Sequence, residues 1–164
     1  MKLSILFLSI FILSINPNIT DVRNNYKEAV ISKSKTFLLY DDLKNITKND
    51  DLRLVAYKGA VTALTAKYLK GAKLKGETFK KGIKWVEYAV AQSPSCIEIR
   101  FVRLSIQQNS PKFLKYNDDI EADKKFILNN FNQIKSSDLK EYLKGYILES
   151  ENFTEEEKNV ILAE

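Results

Sequence analysis

Histidine is absent from the 164 residues of this chain, and cysteine occurs once, as Cys96. Without histidine there is no Ser-His-Asp or Cys-His relay and no His-ligated zinc, copper or haem. A single thiol excludes an intramolecular disulfide, an iron–sulfur cluster and a cysteine-built structural zinc site. Its neighbours Ile97 and Ile99 make Cys96 a small core residue on this reading. The five glycines are dispersed, and neither G-x-G-x-x-G nor G-x-x-x-x-G-K-[ST] occurs, so no phosphate cradle is expected. No cofactor and no metal is therefore expected. Acid–base chemistry, if any, would fall to carboxylates, lysines or tyrosines.

What is present is ordinary for a folded chain: 45% hydrophobic and 29% charged residues, enough for one domain with its own core. The formal net charge is +5, with only four arginines, so lysine carries the excess. The lysines are scattered among glutamates, which reads as solvated faces; no nucleic-acid partner is expected.

The chain opens "MKLSILFLSIFILSIN": a lysine at position 2, then an apolar and serine run from Leu3 to Ile15. That is the length of a signal-peptide core and short for a membrane span. Residues 1–20 are read as a signal peptide and 21–164 as a single helical domain, exported to the periplasm or secreted, with no transmembrane helix in the mature form. No A-x-A cleavage site is present; Ser14, Asn16 and Thr20 are the nearest small or polar candidates. The alternative is an uncleaved N-terminal anchor that holds lysines against anionic lipid.

No segment sustains two-residue alternation, and three-to-four spacing of apolar residues predicts helices nearly throughout. One helix is expected over Tyr26–Leu43 and a stronger one over Leu52–Leu69, begun by Asp50 or Asp51, with an alanine- and glycine-rich face that admits a close neighbour. "KGAKLKG" (Lys70–Gly76) interrupts, Phe79–Gln92 resumes, and Pro94 ends that helix. Asp118/Glu121, Asp138/Glu141 and Thr154/Glu157 have capping-box spacing ahead of three C-terminal helices.

The most informative stretch is "IEIRFVRLSIQ", Ile97–Gln107. As a helix it places Ile97, Phe101 and Leu104 on one side and Ile99, Val102 and Ile106 on another. Such a helix is packed between two others. Arg100, Arg103 and Gln107 form a polar stripe between the two apolar faces. One reading pairs the arginines with carboxylates of neighbouring helices, such as Glu87 or Glu121, to fix register. The other makes the stripe an anion-binding surface, since the arginine fork holds a carboxylate bidentately.

Ala89 five residues before Pro94, with Gly82 and Val86 at the small and bulky positions, resembles the second helix of a tetratricopeptide (TPR) repeat. Gly59 resembles the glycine of the first helix but lies roughly eleven residues early, so that helix and its loop are longer than in the repeat. The resemblance covers Asp51–Gln107. "YKGA" (Tyr57–Ala60), "FKKG" (Phe79–Gly82) and "IEIRFVRLSIQQNSPKFLKY" (Ile97–Tyr116) also resemble a group of small exported bacterial proteins of unknown function. The fold implied is all-α, a TPR-like antiparallel array of about six or seven helices after the signal segment. The function implied is protein or peptide binding, with Arg53, Tyr57, Arg100, Arg103 and Gln107 facing an acidic peptide or a C-terminal carboxylate. The alternative is a carboxylate-based hydrolase, with Glu98 as general acid or a cation held by Asp118, Asp119, Glu121 and Asp123. No enzymatic activity is expected.

Overall fold

The structure, a computed structural model, describes residues 17–163. Most of the expected signal segment, residues 1–16, lies outside that range. Within it the chain forms eight α-helices joined by short turns, with no strand among the described residues. The all-helical expectation holds, with one more helix than expected.

The extra helix comes from a break at Ser32, which divides Tyr26–Leu43 between α1 (Ile19–Ile31) and α2 (Lys33–Asp42). Ser32 is extended (φ −128°, ψ 122°) and its side chain accepts from the Lys35 amide. The Thr36 hydroxyl donates to the Ala29 carbonyl (2.7 Å), one of the last acceptors of α1, which otherwise has only a long bond from the Ser32 amide. A serine and a threonine thus do what glycine or proline does at other helix ends.

Asp51 caps α3 (Leu52–Thr65), which runs on into a single 3-10 turn, Ala66–Tyr68. Gly71 then adopts a left-handed φ of 86° and starts α4 (Ala72–Gln92), seven residues ahead of the expected start at Phe79. A Cβ on Gly59 would lie 2.7 Å from the Gly82 carbonyl oxygen, and one on Gly82 would lie 2.4 Å from the Ala63 backbone nitrogen. Gly59 faces Gly82 and Val86 while Ala63 faces Gly82, so α3 and α4 run antiparallel and meet backbone to backbone.

Pro94 separates α4 from α5 (Ile97–Asn109). The chain closes with α6 (Ile120–Asn130), α7 (Ser137–Glu149) and α8 (Glu155–Leu162). Of the three expected capping boxes one forms: Thr154 and Glu157 each accept from the other's backbone amide. Asp119 rather than Asp118 precedes α6 and makes no side-chain cap, and Ser136 rather than Asp138 caps α7. Asp138 is engaged elsewhere, as described below.

Two apolar clusters fill the interior. The first gathers α1–α4 with Ile99, Val102 and Ile106; the second gathers α6–α8 with Phe101 and Leu104, and Ile97 against it. The two faces expected of Ile97–Gln107 are the two sides of a dividing wall. α5 is the interior helix of the fold.

Candidate functional site

A helix buried on two sides must still place its polar residues. Those of α5 make two ion-paired clusters and one cleft.

The first cluster centres on Glu98, only 2% exposed. Arg23 of α1 holds it bidentately: Nε donates to Oε1 at 2.9 Å and Nη2 to Oε2 at 3.0 Å. The Tyr57 hydroxyl of α3 donates to the same Oε1 at 3.1 Å. The remaining Arg23 nitrogen donates to Asp138 of α7, which also accepts from the Thr20 hydroxyl (2.9 Å) and from Ser136. Burial alone would lower the Arg23 pKa, but the bonds and charge of Glu98 outweigh it and raise it. Tyr57 is pushed well above the usual phenol range, first by burial and then by the Glu98 charge. Hydrogen bonds from Ser136 and Thr20, with Arg23 nearby, hold Asp138 down at about 2. Sequence reasoning missed this cluster. The signal available was Arg23 inside the apolar spacing Val22, Tyr26, Ala29.

The second cluster centres on Asp123 of α6, fully buried. Arg103 grips it with Nε at 2.7 Å from Oδ2 and Nη2 at 2.8 Å from Oδ1. Its Nη1 lies 3.2 Å from both Glu87 of α4 and Asp119. Arg100 Nε sits 2.7 Å from Asp123 Oδ1, at an angle that makes it an ion pair rather than a hydrogen bond. Its guanidinium lies over the Phe126 ring at 4.5 Å. Tyr116 donates to Glu87, and its pKa rises through burial and that bond. Arg103 is likewise raised: its bonds to Asp123 overcome the opposing effect of burial.

Of the two carboxylates expected opposite the arginines, Glu87 is there and Glu121 is not. Glu121 is exposed beside Lys124, 3.9 Å away. Asp123, two residues on and in the stripe that carries Ile127 and Phe131, takes the place assigned to Glu121. The acidic run at 118–123 forms no metal-binding group among the described residues. Glu98, considered above as a general acid, is enclosed by Arg23 and Tyr57.

The five expected binding residues are therefore not on one face. Tyr57 is wholly buried, and Arg103 and Gln107 are nearly so. Arg53 is half-exposed and closed on its own neighbour Asp51. Arg100 is a partly exposed member of the Asp123 cluster, less exposed than Glu87 and Asp119. Cys96 packs against the first core, with its thiol pKa raised by burial.

Of the five, Gln107 alone lines a cleft. At the C-terminal end of α5, a cleft of about 170 Å³ is lined by Gln107, Gln108, Pro111, Tyr116, Ile120 and Asn152, with Lys112 at its edge. Gln107 Nε2 reaches Asp119 at 3.4 Å, and Gln108 Oε1 accepts from the Tyr146 hydroxyl at 2.7 Å. The other half of each amide, Gln107 Oε1 and Gln108 Nε2, is buried without a partner. An unpaired buried amide atom costs about 1–3 kcal/mol, so two on residues that line one cleft mark a place where a ligand group could satisfy them. The chain matches no known protein-family model, no curated protein and no solved structure.

Proposed function

We propose that this is an exported TPR-like helical module that binds a peptide segment of a partner protein in the cleft at the end of α5. The observation that carries this reading is the pair of unsatisfied amide atoms. One is an acceptor and one a donor, the complement of the N–H and C=O of a peptide group. Lys112 and the net positive charge favour an acidic segment. The arginines, already held by Asp123, do not line the cleft.

The antiparallel α3–α4 pair, with α5 following at Pro94, supports the TPR-like arrangement. Export rests on the apolar leader. Asn18 caps α1 and Thr20 bonds to Asp138, so a cut that leaves the fold intact precedes Asn18. Of Ser14, Asn16 and Thr20, this disfavours Thr20 as the cleavage position and leaves Ser14 and Asn16, and sequencing of the mature N-terminus tests it.

The binding test is selection from a random acidic dodecapeptide library on the full chain, with affinities of the enriched peptides measured by fluorescence anisotropy. Gln108→Leu, folded by circular dichroism, should weaken them at least tenfold, and Arg53→Ala should leave them unchanged. Peptides that bind Gln108→Leu as well as the parent chain would overturn the cleft as the site.

A further inference from the structure

We infer that the end of the molecule formed by α2 and the α3–α4 connection is a docking surface for an anionic lipid bilayer. It rests on residues other than those that line the peptide cleft.

Apolar side chains are exposed here with nothing packed over them. Ile31 at the α1–α2 corner is 85% exposed, Leu38 60% and Leu74 48%, with Phe37 beside them at 38%. The two elements are in contact: the Phe37 and Tyr68 rings lie 6.2 Å apart, and the Lys67 ammonium sits over Tyr68 at 5.6 Å. Leu74 lies in the first turn of α4, just past the left-handed turn at Gly71.

Around this edge the charge is one-sided. Between Ala66 and Lys84 the chain carries seven lysines and a single acid, Glu77. Lys67, Lys70, Lys73 and Lys75 are all exposed. Of the carboxylates at the margin, Glu28 pairs with Lys35 and Asp41 with Lys44, each at 2.8 Å, and Asp42 at the end of α2 is exposed. The lysines are close together in sequence, and the α3–α4 connection presents them beside the exposed apolar side chains of α2.

Charge complementarity selects the occupant. A protein partner would bury Leu38 and Ile31 in a pocket and need carboxylates opposite each lysine. A bilayer with anionic headgroups offers both a continuous negative surface and an apolar layer just beneath it. Long lysine stems let the ammonium groups stay at the headgroup level while Leu38, Ile31 and Leu74 enter the acyl boundary. No helix among the described residues is long and apolar enough to cross a membrane, so the contact is peripheral.

The test uses the full chain with vesicles of phosphatidylcholine alone or with about one third phosphatidylglycerol, read by flotation and by hydrogen–deuterium exchange. The expected result is flotation with the anionic vesicles, with amides slowed at 33–42 and 67–76. The charge-reversed chain Lys70→Glu/Lys73→Glu/Lys75→Glu should bind at least tenfold more weakly, and Leu38→Ser several-fold more weakly. Both sets of substitutions fall on exposed positions, and circular dichroism checks their fold. Residues 1–16 are common to every variant, so the comparison isolates the surface. Unchanged exchange at those segments, equal protection on neutral vesicles or full binding by the charge-reversed chain would overturn the proposal. So would protection by a DNA duplex but not by vesicles.

Discussion

The two sides of α5 are packed by different means. On one side α3 and α4 are in backbone contact through Gly59, Ala63 and Gly82, and the interior is rich in alanine and valine. On the other the space is filled by large side chains: Phe101 packs edge-on against Tyr142 and Tyr146, with Phe131, Leu143 and Phe153 around them. A backbone contact has no rotamers with which to absorb a change, whereas a layer of aromatic and aliphatic side chains can re-pack. The two sides also differ in how charge is neutralised. Glu98 faces one arginine and Asp123 faces two.

The largest test of that difference is loss of an arginine. Arg23→Ala leaves Glu98 buried with only the Tyr57 hydroxyl, and should cost about 3–5 kcal/mol in urea unfolding. Arg103→Ala leaves Asp123 with Arg100, and should cost less, on the order of 2–3 kcal/mol. Equal losses would show that the second arginine shares none of the charge.

Packing comes next. Gly82→Ala should cost about 3 kcal/mol, because the new methyl meets backbone atoms of α3 that cannot turn aside. A comparable enlargement in the second core, Ala-sized or one methylene, should cost nearer 1 kcal/mol. A mild effect of Gly82→Ala would mean that α3 and α4 can separate without loss, and the contrast would fall.

Smaller again is Thr154→Ala, which removes the one complete capping box and should cost about 1 kcal/mol. Melting of this variant should begin in the second core, since α8 packs there.

The pH dependence of Asp138 is smaller, because its side chain is 42% exposed. Its folded pKa of about 2 lies below the usual 3.8. It therefore contributes stability above about pH 4 that is lost as pH falls toward 2. The gap in melting temperature between the parent chain and Asp138→Asn should close over that window. A constant gap would assign the loss to shape rather than charge.

The smallest effect is expected at Arg53→Ala, whose exposed pair with Asp51 should change stability by less than about 0.5 kcal/mol.

The helical class, the Asp51 cap, the end of α4 at Pro94 and the two apolar faces of α5 were legible in the sequence because each is a local matter. They follow from spacing along one helix or from the geometry of a single residue. Ser32 was not read as a break, since its effect depends on Thr36 reaching back to the Ala29 carbonyl. Arg100 and Arg103 were visible as a stripe, and Glu87 as a partner, but Asp123 was not. Helical spacing places a side chain on a face without saying what faces it.

Sequence alone therefore determined that this chain is all-helical, that it lacks the ligands for histidine- or cysteine-based chemistry, and that Ile97–Gln107 separates two packed layers. Tertiary structure decided which carboxylate met which arginine, that Tyr57 and Gln107 turned inward, and that the lysine-rich 67–75 segment came to lie beside α2. The reason is that the first set depends on periods of three and four residues. The second depends on contacts between residues as far apart as Arg23 and Glu98, whose pairing is set by how helices cross and not by any spacing along them.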